Sequence, residues 1–202
     1  MDTACELTNA SKAPATASTR HRLDQTLLES IAAGDKFAMQ VLYQRHSVRV
    51  YRFVLRLIAN PALAEELVSE VFLNVWRHAG TFDAKCQVTT WLLSIARHKA
   101  LSVLRRRPES QLDEEMAATI PDPGESAEAV LDRKERSKVI RDCLAQLSPA
   151  HREVIDLVYY HEKSVDEVAR IVDAPKGTVR TRMFYARNHM AKLLAAAGIR
   201  GS

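Results

Sequence analysis

Residues 108–130 carry seven carboxylates and no lysine or arginine, with Pro121, Pro123 and Gly124 among them. Like charges this dense repel one another, and the prolines withdraw amide donors. Apolar residues are too sparse there to pay for ordering the backbone. Such a stretch does not sit inside a packed unit. It divides the 202 residues into two small domains joined by a flexible acidic linker.

Both flanking blocks are basic. Residues 23–107 hold 12 basic against 7 acidic side chains, and residues 131–202 hold 14 against 9. A formal net charge of +4 thus conceals two units of +5 around a strip of −7. Basic domains favour a polyanion, most often nucleic acid, although a solvated helix face carries the same charges. Only 6 glycines and 7 prolines, in a chain rich in Ala, Leu, Arg and Glu, indicate helices rather than a turn-rich β fold.

Periodicity places these helices. Residues 1–22 show none and read as a disordered tail. Leu27, Leu28, Ile31 and Ala32 recur at helical spacing up to Gly34-Asp35, and an apolar pattern from Phe37 to Ile58 follows. Asn60-Pro61 then supplies an N-cap and a first-turn proline. Leu67, Val68, Val71, Phe72, Val75 and Trp76 give the segment 62–78 a wide apolar face. Residues 80–88 read as a loop, with Thr89 or Thr90 capping a helix that runs to Arg107. In the second unit, 131–197, Ser148-Pro149 repeats the cap-and-proline signal, and Ser164 and Glu167 stand at capping-box spacing. The expected fold is all-α.

Ser164 to Leu194 has the pattern of a helix-turn-helix. Val168 and Val172 face inward on a first helix, and small Ala169 lets a second helix pass closely. Asp173-Ala174-Pro175 turns the chain. Val179, Met183, Ala186, Met190 and Leu193 then line one side of the second helix, leaving Arg180, Thr181, Phe184, Arg187 and Asn188 on the other. An apolar stripe behind, with Arg, Thr and an aromatic in front, suits the DNA major groove. A helix-turn-helix alone says only that DNA is bound.

Three further features complete a resemblance. The stretch from Ala64 to Arg77 contains the ridge Glu66, Glu70, Asn74 and Arg77. Trp91-Leu92-Leu93-Ser94-Ile95-Ala96-Arg97 is followed by Leu104-Arg105-Arg106-Arg107. The acidic break separates both from the helix-turn-helix. In this order they resemble the bacterial sigma factors of the extracytoplasmic-function (ECF) type, of the sigma-70 family, over about residues 24–107 and 131–195. The resemblance implies a sigma-2-like bundle and a sigma-4-like helix-turn-helix domain. The first docks on RNA polymerase core through Glu66, Glu70, Asn74 and Arg77, and opens promoter DNA through Lys85, Trp91, Arg97, His98, Arg105 and Arg106. The second reads the upstream promoter element with Lys176, Thr178, Arg180, Thr181, Phe184 and Arg187. The loop 80–89 would pocket a flipped base, the linker would thread the polymerase, and an anti-sigma factor would be a further partner.

The residues allow plainer readings beside these. The ridge suits solvation, Trp91 suits a core, and the linker serves as a tether. Trp and His can stack on unpaired bases, and clustered arginines can hold phosphates. Two positions depart from the family: His98, where Asn is frequent, and Asp173, where many relatives carry Gly.

Other classes fare worse. Cys5, Cys86 and Cys143 stand far apart, without disulfide-framework or zinc spacing. Cys86 fits either a redox sensor or a small buried residue. None of the seven histidines forms a metal-binding motif, and neither a phosphate loop nor a nucleophile elbow appears. No enzyme activity, metal or cofactor is expected. Without a long apolar run or a signal-peptide core, the expected location is the cytoplasm. The competing reading is a helix-turn-helix repressor or activator acting as a dimer on a palindrome.

Overall fold

The computed structural model of the chain describes residues 17–106 and 137–198. The acidic break, Cys5 and residues 1–16 lie outside them. Among the described residues eight α-helices follow one another: α1 (Ala17–Ala32), α2 (Lys36–Ile58), α3 (Pro61–His78), α4 (Val88–Arg106), α5 (137–145), α6 (Pro149–Ile155), α7 (Val165–Val172) and α8 (Lys176–Ala196). A 3-10 turn, Ala79–Thr81, follows α3, and α6 runs on into a π turn at Asp156–Tyr160. No strand occurs among the described residues, in line with the all-α expectation.

Side chains set four of the helix starts. The Asp35 carboxylate accepts from the Phe37 and Ala38 amides, and Asn60 accepts from Leu63 ahead of Pro61. Ser148 accepts from the His151 amide, and Ser164 and Glu167 close a reciprocal capping box. Each satisfies backbone donors that have no partner within the helix.

Two expectations need correction. The absence of apolar periodicity places residues 17–22 in a disordered tail, yet helix α1 begins at Ala17. Buried Asp24 holds α1 to α2 through Arg45 at 3.0 Å and His46 at 2.9 Å. The helix propagates back from that anchor through residues that add no apolar periodicity of their own. Nor do Thr89 and Thr90 cap α4. The helix is already under way at Val88, and the Thr90 and Trp91 amides reach the Gln87 carbonyl. Both threonine hydroxyls point at the second unit instead.

Helices α1 to α4 enclose a core of Leu28, Leu42, Phe53, Val71 and Leu92. Helices α6 to α8 enclose Val154, Leu157, Val168, Val179 and Ala186. These two cores are continuous, because α7 packs along α4.

Ala59 ends α2 in the left-handed region, at φ 49°, where a Cβ crowds the backbone. Ala59→Gly should therefore raise stability by about 0.5–1 kcal/mol in chemical denaturation.

Candidate polymerase and nucleic-acid interface

Helix α8 is divided lengthwise. Val179, Met183 and Ala186 are buried, with Met190 packed against the core. Arg180, Thr181, Phe184, Arg187 and Asn188 are exposed, as their spacing required, and Phe184 is 60% accessible. The helix is aimed by the turn before it. Asp173 sits in the left-handed region at φ 50°, which Asp tolerates better than most side chains. This explains how the turn forms without Gly. At the helix entry, Lys176 pairs with Asp166 of α7 at 2.8 Å and Thr178 is half-buried. The lysine's hydrogen bond holds the exposed Asp166 carboxyl below its ordinary pKa.

On α3 the apolar face is inside, and Glu66, Glu70 and Arg77 are exposed, with Asn74 half-buried. Glu70 accepts from Lys99 of α4 at 2.7 Å, so this ridge is braced from beneath. Leu73, seven residues after Glu66, lies 47% exposed within it. The ridge read as purely polar in the sequence thus has an apolar centre.

Helix α4 disperses its residues. His98, Arg105 and Arg106 are exposed, and so is Lys85 in the loop ahead of it. Trp91 is half-buried against Phe82, with ring centroids 5.3 Å apart. The six residues expected to act together do not form one free surface. Arg97 instead gives a two-pronged bond to Glu153 of α6, at 2.6 and 3.2 Å.

The second unit meets α4 through more such bonds. Thr90 donates to Glu167 at 2.6 Å, and Lys163 donates to Gln87, Thr89 and Glu167. Arg56 of α2 pairs with Asp156, and Phe53 meets the His161 ring edge-on at 5.4 Å. Around this seam, periodicity missed the exposed Tyr159, Tyr160 and Tyr185. Arg56 lies 4.0 Å over the Tyr160 ring, Arg187 lies 5.7 Å from Tyr159, and Tyr185 meets Phe184 edge-on. Their concentration of aromatics was visible in the sequence; their placement beside arginines 28 and more positions away was not.

The architecture matches known families at both ends. Residues 42–108 match the model for Sigma-70 region 2, and residues 143–192 match Sigma-70, region 4. The ECF RNA polymerase sigma factor SigK of Mycobacterium sp. (strain KMS) is 34% identical over 161 residues, 78% of this chain and 83% of that protein. This chain belongs to the ECF sigma factors. SigK of Mycobacterium tuberculosis (strain ATCC 25618 / H37Rv) is 32% identical over the same share of the chain and 86% of its own length. Among solved structures, CnrH in complex with the cytosolic domain of CnrY aligns with a TM-score of 0.62 at 22% identity, covering 86% of this chain and 98% of that one. RpoE of Bartonella quintana, in complex with the anti-sigma factor NepR, gives 0.60 at 24%, covering 77% and 96%. At those identities the likeness shows the fold.

The protein is thus a transcription initiation factor, and the dimeric repressor reading is not favoured. Sigma factors are regulatory rather than catalytic proteins. No group of three or more metal-ligating side chains forms among the described residues. No described helix is long and apolar enough to cross a membrane. Burial pushes the Cys86 thiol above its usual pKa, and the thiol donates weakly to the Asp83 carbonyl at 3.4 Å. Cys86 is half-buried, and that shift favours its thiol over its thiolate.

Glu167 carries the largest electrostatic consequence. Burial opposes its ionisation, but bonds from Thr90, Ser164 and Lys163 outweigh that and bring its pKa to about 2, from 4.5. A carboxylate lowered on folding stabilises the fold above its unfolded pKa, and that contribution disappears as pH falls through the folded one. Stability should decline between about pH 4.5 and about pH 2. Glu167→Gln, which keeps the capping box, should flatten that slope in pH-dependent denaturation.

Proposed function

We propose that this sigma factor divides its work among three surfaces. The α3 ridge of Glu66, Glu70, Asn74 and Arg77, with Leu73 at its centre, docks on RNA polymerase core. Charged side chains around an exposed leucine give both steering and a desolvated anchor. Helix α4 and its loop, through Lys85, Trp91, Arg97, His98, Arg105 and Arg106, hold the downstream element as its strands part. Cations bind the phosphates, and Trp91 and His98 stack on bases. Helix α8 enters the major groove upstream, with Arg180 and Arg187 as donors, Thr181 bonding either base or backbone, and Phe184 against a thymine methyl. Lys176 and Thr178 hold phosphates at its entry.

The observation that carries this reading is the exposed α8 face in a chain matching both region 2 and region 4. The domains are 17–107, which takes in the whole of α1, and 131–197, with 108–130 as tether. The protein has no enzymatic activity of its own and works in the cytoplasm, where its polymerase is. CnrH and Bartonella quintana RpoE were each solved with a second protein, NepR in the latter being an anti-sigma factor. An anti-sigma factor is accordingly the expected regulator here.

Incubation with bacterial RNA polymerase core, followed by co-purification and transcription from a promoter library, tests the whole. The expected result is a stable complex initiating at a defined subset of promoters. A dimer bound to palindromic DNA without core would sink the proposal. Arg180→Ala should weaken upstream-element binding by about 1–3 kcal/mol and relax specificity at one position. Uniform weakening on all sequences would make Arg180 a phosphate contact.

A further inference from the structure

Helix α8 carries the cations Lys176, Arg180, Arg182, Arg187 and Lys192 and no carboxylate of its own. The acid that faces its entry comes from α7. Asp166, in the first turn of α7, accepts from the Lys176 amine at 2.8 Å, and both side chains are more than half exposed. That bond, reinforced by the charges of Lys176, Arg180 and Arg170, holds the Asp166 carboxyl below its ordinary pKa. Arg170 has another engagement, since its guanidinium donates to the Lys85 carbonyl at 3.1 Å. The carboxylate therefore bears chiefly on Lys176 and Arg180, the first two cations of the DNA-reading helix.

Stability does not account for the pair. An exposed ion pair contributes little, and Glu167 already supplies the capping carboxylate of α7. Beside a polyanion the Asp166 carboxylate is unfavourable, because like charges repel. Its effect lies in what it does to Lys176. A free lysine is a point charge on a flexible four-carbon stem, able to meet phosphates in any register. Held by Asp166, the amine is fixed in place. It has three donors and gives one to the carboxylate. The other two can take a phosphate oxygen, but only one that arrives where the amine stands.

We infer that Asp166 determines specificity at the upstream element by fixing Lys176: the held lysine meets a phosphate when α8 is seated in register on its own sequence, and gives little to duplexes bound out of register. The inference rests on α8 being the upstream reader. Phosphate contacts carry no sequence information by themselves, but they set register. A contact available in one register only adds to the difference between promoter and random DNA. Non-specific binding is nearly all phosphate contact, and Asp166 withdraws one cation from it.

The test uses the chain assembled with RNA polymerase core, a labelled promoter duplex and a random duplex, each titrated over a series of salt concentrations. Asp166→Asn should tighten binding to the random duplex and steepen its plot of log K against log salt by about 0.9, the value of one added phosphate contact. Promoter binding should gain less, so the promoter-to-random ratio falls severalfold, with helicity by circular dichroism unchanged. In a Lys176→Met background the same substitution should change neither slope nor ratio. Asp173→Asn removes an equal charge from an exposed position of the same motif, in a left-handed conformation that Asn tolerates; it should leave the ratio as it is. An unchanged ratio in Asp166→Asn would overturn the inference. So would an equal fall in Asp173→Asn, or a fall that persists without Lys176, since either makes Asp166 a general repulsive charge. Unmodified holoenzyme that binds both duplexes alike would remove the upstream-reading role itself, and the inference with it.

Discussion

The Glu167 carboxylate accepts hydrogen bonds from Ser164, Lys163 and Thr90, and so ties three levels of structure together. At the first level it completes the capping box that starts α7. At the second it neutralises Lys163, an amine that burial pushes towards losing its proton. At the third it reaches across to α4. Removing a carboxylate from water is unfavourable, and the low pKa shows that these donors more than replace the lost hydration. A helix start, a buried cation and a contact between units therefore share one negative charge. The same charge sits where α7 packs along α4, above the apolar core that the two units share.

What could be read from the sequence follows from the range of each interaction. The caps at Asn60, Ser148 and Ser164 are encoded within three or four residues, and they form as their spacing requires. The stripe Val179, Met183, Ala186 is encoded by helical period alone. By contrast, Arg97 and Glu153 are 56 positions apart, and Thr90 and Glu167 are 77 apart. Nothing in the residues around Arg97 distinguishes a phosphate ligand from half of an ion pair. The same limit explains the misplaced start of α1, which rests on Asp24 meeting residues 21 and 22 positions away. It also explains Thr89 and Thr90, whose side chains fit a cap but are used across the seam. No periodicity marks Tyr160; a π turn carries it out to Arg56.

The candidate surfaces differ in how fully their side chains are already engaged. On α8, Phe184 and Tyr185 meet edge-on and leave most of their area to solvent. An exposed aromatic pair in front of two arginines offers desolvation as well as charge to a ligand. On α3 the apolar contribution is smaller and comes from Leu73. On α4 the cations divide by position: Arg105 and Arg106, in the last turn, are exposed, while Arg97 is held. The free end of α4 is therefore its C-terminal end, and the end beside loop 80–89 is held by the second unit.

Ionic strength acts differently on these contacts. Phosphate contacts by exposed lysines and arginines release counterions and weaken steeply as salt rises. Exposed pairs such as Lys176–Asp166 are screened over a Debye length of about 8 Å at physiological salt. The seam pairs sit largely out of water, where screening is weak, and the continuous apolar core beneath them is not electrostatic at all. Added salt thus subtracts from DNA engagement while leaving closure almost intact.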